Sequence, residues 1–178
     1  MKKTLYLILG ILLLPLALGA QSLPKAEESF AKGDYSSALT QYKQLMQSAT
    51  GEERLHAQLR YAACQYGLGE YLNAAKTIWN YPLPENDLWK VRFLLYRIQI
   101  SDQAASVYRR LLNERQIDSN DAQNDPESWT KDEWESRITQ DYETLWAMRA
   151  ALINFPVERE TLILNIKETD TQRIPTLF

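Results

Sequence analysis

Residues 31–42 read AKGDYSSALTQY, and residues 67–78 read GLGEYLNAAKTI. Both stretches run Gly, an acid, Tyr, two spacers, then Ala. Gly33 and Gly69 lie 36 residues apart, as do Tyr35 and Tyr71, and Ala38 and Ala74. A glycine suits the left-handed residue that closes a helix, because it lacks a Cβ to clash there. Asp34 can then cap the following helix by accepting hydrogen bonds from its free N–H groups. Glu70 caps less well but still favours the positive end of a helix. Tyr35 and Tyr71 can close each corner with a ring. Ala38 and Ala74 are small where two helices must approach closely. Tyr42 and Ile78 follow four residues later on the same helical face. The reading is two helix–corner–helix units at a fixed period.

These residues resemble the tetratricopeptide repeat (TPR) family, a helix–turn–helix of about 34 residues. The first copy matches through Ala26, Gly33, Tyr35, Ala38 and Tyr42, the second through Ala62, Gly69, Tyr71, Ala74 and Ile78. A weaker third copy fits residues 85–112, aligned on Ala104 and Tyr108, with Gln99 where the corner glycine belongs. A proline near the repeat end is missing in copy one, whereas Pro82 and Pro84 stand near that place in copy two. The resemblance implies an all-α fold, a right-handed α-α superhelical array of helical hairpins. One such unit cannot bury its apolar face alone, so stacked neighbours and a terminal cap are expected. An irregular helical hairpin array is the alternative.

The rest of the chain organises around the repeats. MKKTLYLILGILLLPLALGAQS has Lys2 and Lys3, an apolar run from Leu5 to Leu18, and small residues at Gly19 and Ala20, the layout of a secretory signal peptide. It is expected to occupy 1–20, with cleavage after Ala20 preferred to Gly19; an uncleaved anchor is the alternative. TPR-like repeats are expected over 21–115 and an acidic polar loop over 116–129. Thr130 with Glu133 reads as a capping box opening a helix over 130–154. Trp134, Ile138, Tyr142, Leu145, Trp146, Arg149, Leu152 and Ile153 recur at helical spacing, and that face is expected to cap the last repeat, with a partner-binding helix as the alternative. Pro156 ends the helix. The extended tail 155–178 contains TLILNIK (161–167), which could lie along the helices, dock in the protein's own groove, or pair with another chain.

Charge and chemistry narrow the function. Residues 21–112 carry 11 basic and 9 acidic side chains; residues 113–178 carry 7 and 14. An acidic chain without a basic stripe is a poor nucleic-acid binder; the acidic half could fold back on the repeats or repel anionic surfaces, though such a tail is more often simply solvated. Cys64 is the only cysteine, so no intrachain disulfide forms, and it is expected to be a buried inert thiol. His56 is the only histidine, which leaves no His–His or His–Cys metal site within one chain. No nucleophile elbow or phosphate loop occurs. Glu52-Glu53 and Asp132-Glu133 sit at expected helix starts, where the helix dipole explains them. No catalytic residue, metal or cofactor is assigned.

In the TPR family the first helices of successive repeats line a concave groove that holds peptides or proteins. Carrying those positions over gives Glu27 and Phe30, then His56, Leu59 and Tyr66, then Trp89, Phe93, Tyr96 and Arg97. The resemblance thus implies an exported adaptor or scaffold of the bacterial periplasm or cell envelope, or a secreted one. It would bind a protein or peptide partner, with no membrane span once the signal is removed. A self-assembling envelope module using the C-terminal segment is the rival, and an enzyme with an unrecognised acidic site a more distant one.

Overall fold

The computed structural model describes residues 22–114 and 125–153, together with Glu160 and Leu162. The signal-peptide reading, most of the polar loop and most of the tail fall outside the described residues. Every regular element among the described residues is a helix: α1 Leu23–Ala31, α2 Tyr35–Ser48, α3 Gly51–Gly67, α4 Tyr71–Asn80, α5 Asp87–Glu114, α6 Lys131–Ala147 and α7 Arg149–Leu152. Each packs on its neighbour in sequence, and α3 also touches both α1 and α5.

The two quoted stretches build the same corner. Gly33 has φ +76° and Gly69 φ +79°. Gly33 N–H donates to Phe30 O at 2.9 Å and Asp34 N–H to Ser29 O at 3.0 Å. Gly69 N–H donates to Tyr66 O at 3.0 Å and Glu70 N–H to Gln65 O at 2.9 Å. This paired pattern satisfies carbonyls that a helix end otherwise orphans. Asp34 then caps α2 by accepting from Ser37 N–H at 3.2 Å, while Glu70 makes no side-chain cap. Ala26, Ala38, Ala62 and Ala74 are all fully buried, as small contact residues must be for close helix approach. Tyr42 and Ile78 are buried beside them.

The third stretch does not turn. α5 is one helix of 28 residues that runs straight through Gln99. Without a glycine there, a left-handed corner would cost roughly 1–2 kcal/mol. Apolar residues on two faces hold the helix instead. Trp89, Phe93, Tyr96, Ile100 and Ala104 join the core formed with α3 and α4, whereas Val91, Leu94 and Ile98 pack with Leu145 and Leu152. The second arm of this pair is α6. Arg97 of α5 meets Asp141, and Val91 and Leu94 share a cluster with Leu145 and Leu152, so the two helices run antiparallel.

The capping box of α6 forms: Glu133 N–H donates to Thr130 Oγ1 at 3.3 Å, and Thr130 N–H to Glu133 Oε2 at 2.8 Å. The helix breaks at Met148, earlier than the sequence reading, and only the short α7 follows. The expected inward stripe is also rotated. Trp134, Leu145 and Leu152 are buried and Ile138 is half-buried, but Tyr142, Trp146 and Ile153 are exposed. Asp141 causes the difference. It turns inward to Arg97, so the buried line runs 134, 138, 141, 145, 148, 152, and the aromatic neighbours of that line face outward.

Basic and acidic halves meet through specific pairs. Lys76 of α4 bonds Glu127 and lies 3.6 Å from Asp125. Arg97 pairs with Asp141, and Arg92 with Glu160. The end of the polar loop is pinned. Trp129 is buried, edge-on to Trp79 at 5.0 Å and to Trp134 at 4.9 Å, with Arg137 stacked on it at 4.2 Å.

Candidate functional site

A polar seam crosses α1, α3 and α5. It starts at Glu27, one residue after the buried Ala26, which places its carboxylate beside α3. His56 and Arg60 reach it from α3, being four residues apart and so on one face. His56 Nε2 lies 2.9 Å from Glu27 Oε1. Arg60 donates through Nε to Oε1 at 3.0 Å and through Nη2 to Oε2 at 3.2 Å, a two-pronged clamp. The Tyr42 hydroxyl of α2 donates to Oε1 as well. Arg60 Nη1 then reaches Tyr96 Oη of α5 at 3.4 Å, and its guanidinium stacks over Phe30 at 4.2 Å.

These contacts set the electrostatics. Burial alone would raise the Glu27 carboxyl, but hydrogen bonds from His56 and Tyr42 and the Arg60 charge outweigh it and bring the pKa down to about 2. Burial and the Glu27 carboxylate together push the Tyr42 hydroxyl upward, and burial raises Tyr96. The carboxylate and guanidinium are therefore a fixed charge pair at neutral pH.

At the α5 end of the seam lies the chain's own C-terminal segment. Arg92 stacks on the Trp89 ring at 4.5 Å and donates through Nε to Glu160 Oε2 at 2.9 Å. The Glu160 side chain is 1% exposed in that position, and the Arg92 side chain 12%. Tyr96 Oη donates to the Leu162 carbonyl at 3.3 Å, and Leu162 is buried in the cluster with Trp89, Phe93 and Tyr96. Two residues, one acidic and one apolar, thus sit on α5 through a side-chain ion pair, a main-chain hydrogen bond and apolar burial.

The positions expected to line a groove separate into four groups. Phe30, His56, Trp89 and Tyr96 come together along the seam; the His56 and Trp89 rings are 6.4 Å apart. Leu59 and Phe93 are fully buried core residues. Tyr66 packs edge-on against Tyr71 at 5.2 Å, at the second corner. Arg97 faces away from the seam: Nε donates to Asp141 Oδ2 at 2.6 Å, Nη2 bonds Oδ1, and its guanidinium stacks on Trp79 at 3.8 Å.

Arg60 and Arg92 escaped the sequence reading. Arg60 carried a signal, since it lies 36 residues before Tyr96, one repeat period. Its neighbours Ala57, Leu59 and Ala62 mark that side of α3 as buried, and an arginine there needs a partner. Arg92 carried none, because its partner Glu160 is 68 residues away. Cys64 is buried, and burial pushes its thiol up to about 12, which makes it a poor nucleophile. Comparison with family models, with curated proteins and with solved structures finds no match.

Proposed function

We propose that this chain is a TPR-like adaptor of the bacterial cell envelope that holds an extended protein segment along the face shared by α1, α3 and α5. One observation carries the reading: the described part of the C-terminal segment already lies on that face, held at Arg92, Tyr96 and the Trp89 cluster. Repeated corners, buried alanines and packing of α1 on α3 and α3 on α5 support a hairpin array, with α5 and α6 as its third pair. Export rests on the N-terminal sequence. Interfaces favour Trp, Tyr and Arg as anchors, and the seam offers each.

The chemistry of the seam favours binding over catalysis. A general base works best with a pKa near the operating pH; Glu27, held near 2, is far below it. In the acidic part, Asp125 and Glu127 engage Lys76, Glu133 caps α6, Asp141 engages Arg97 and Glu160 engages Arg92. These carboxylates are dispersed rather than converging.

The test uses the full chain and an array of twelve-residue peptides, with the best binder titrated in solution. His56→Ala and Arg92→Glu should each weaken that peptide at least about tenfold, or about 1.4 kcal/mol, with the fold intact by circular dichroism. Undiminished affinity in both variants rejects this face as the site.

A further inference from the structure

The contacts at α5 say what kind of segment the face accepts and what guards it. Glu160 and Leu162 are two residues apart in the sequence, and both side chains meet α5. One places its carboxylate on Arg92, the other is buried in the apolar cluster, and the main chain accepts from Tyr96 Oη. The main-chain bond is indifferent to sequence. The selective elements are a carboxylate and, two residues on, a medium-sized apolar side chain.

We infer that Glu160 and Leu162 act as an internal ligand: they cover the site in cis, and the partner is a segment with an acidic residue two positions before an apolar one, which must displace them. This rests on the function proposed above and adds its partner chemistry and its regulation. The Glu160 carboxylate has lost its water, since its side chain is 1% exposed, and the Arg92 charge offsets part of that loss. A competing segment without an acid would leave Arg92 without a carboxylate in a largely buried place. That cost is the basis of selectivity.

Tethering supplies the guard. A segment joined to its own site through the same chain has an effective concentration on the order of millimolar. For cis occupancy to dominate, the untethered segment must bind with a Kd of about 0.1 mM or tighter. The tether then weakens a competitor of equal affinity by roughly tenfold, because only the open fraction is competent. Loss of the tail contacts should restore that factor.

The experiment measures fluorescence anisotropy of a labelled peptide spanning residues 156–168, PVERETLILNIKE, titrated with full-length protein. Wild type is compared with Glu160→Lys and with Glu160→Ala/Leu162→Ala. Both tail variants should bind the peptide about tenfold more tightly than wild type. Adding Arg92→Glu should remove the gain, and a peptide with lysine in place of Glu160 should recover binding to the Arg92→Glu protein. Equal affinity for wild type and both tail variants, still dependent on Arg92, overturns the internal-ligand inference and leaves the binding face standing. No binding to the tail variants at 1 mM, roughly the effective concentration of the tether, also overturns it. The peptide-array titration then decides the binding face separately. If Glu160→Ala/Leu162→Ala is too unstable to measure, the single Glu160→Lys comparison and the charge reversal carry the decision.

Discussion

Replacing Glu27 with glutamine tests whether the seam holds the first two helical pairs together. The substitution keeps the shape and removes the charge, so Arg60 loses its anion in a site where it is buried. The Glu27 carboxyl titrates near 2 instead of its ordinary 4.5. At about 1.4 kcal/mol per pH unit, this difference is worth about 3 kcal/mol to the folded state at neutral pH. Removing one partner of a buried pair typically costs about 3–5 kcal/mol. The lower figure fits here, since the Glu27 side chain is 32% exposed. For a domain of this size, about 3 kcal/mol lowers Tm by about 6–12 °C.

The pH dependence separates charge from packing. Glu27 has its pKa depressed in the fold, so protons bind the unfolded chain first. Its contribution is complete above about pH 5 and is lost as pH falls towards 2. Linkage leaves about 1.4 kcal/mol at pH 3 from the full value at pH 7. Urea unfolding of wild type and Glu27→Gln at pH 7, 5.5, 4 and 3 should show a gap that is constant over the first two and narrows over the last two. A gap under about 1 kcal/mol at pH 7, or one unchanged at pH 3, would refute the reasoning; the usual charged hydrogen bond alone is worth more than the first figure.

Two other outcomes follow from neighbouring contacts. Asp141→Asn should destabilise the chain by about 3–5 kcal/mol by stranding Arg97 between α5 and α6, measured by urea unfolding, while the peptide affinity of the folded protein stays unchanged. Cys64, with its thiol raised to about 12 and its side chain buried, should not react with a thiol-specific disulfide reagent at pH 8 until denaturant unfolds the chain.

The repeat corners were legible because their causes are local. A left-handed residue needs glycine, a cap needs a short acid, and a close helix crossing needs alanine; Gly33, Asp34 and Ala38 show all three within six residues. The capping box at Thr130 and Glu133 was legible for the same reason. Gly67 was not. A Cβ there would sit 2.7 Å from the Tyr35 ring, so the first corner's tyrosine lies directly on the end of α3. That requirement joins residues a repeat apart and leaves no local mark. The face of α6 was misread because Asp141 looks like a solvent residue until its partner Arg97, 44 residues earlier, is known. Gln99 announced the lack of a corner, but not that a 28-residue helix would replace it.

The same geometry decides which substitutions can report on binding. Trp89 is 4% exposed and sits in the core cluster, so Trp89→Ala removes a ring that holds α3, α4 and α5 together. Such a change costs about 3–5 kcal/mol of stability, and lost binding would then report lost folding. Tyr96→Ala has the same defect, but Tyr96→Phe deletes only the hydroxyl that Arg60 donates to and that donates to Leu162 O. Removing everything after residue 115 fails for a related reason, because Trp129 and Trp134 are buried against Trp79 and the α5 face. Arg92 is the discriminating position. Its charge meets the tail rather than the core, and reversing it changes what the face prefers without emptying the cluster beneath. If the face is a binding site, Arg92→Glu should exchange its preference from acidic to basic segments, measured on protein that circular dichroism shows to be folded.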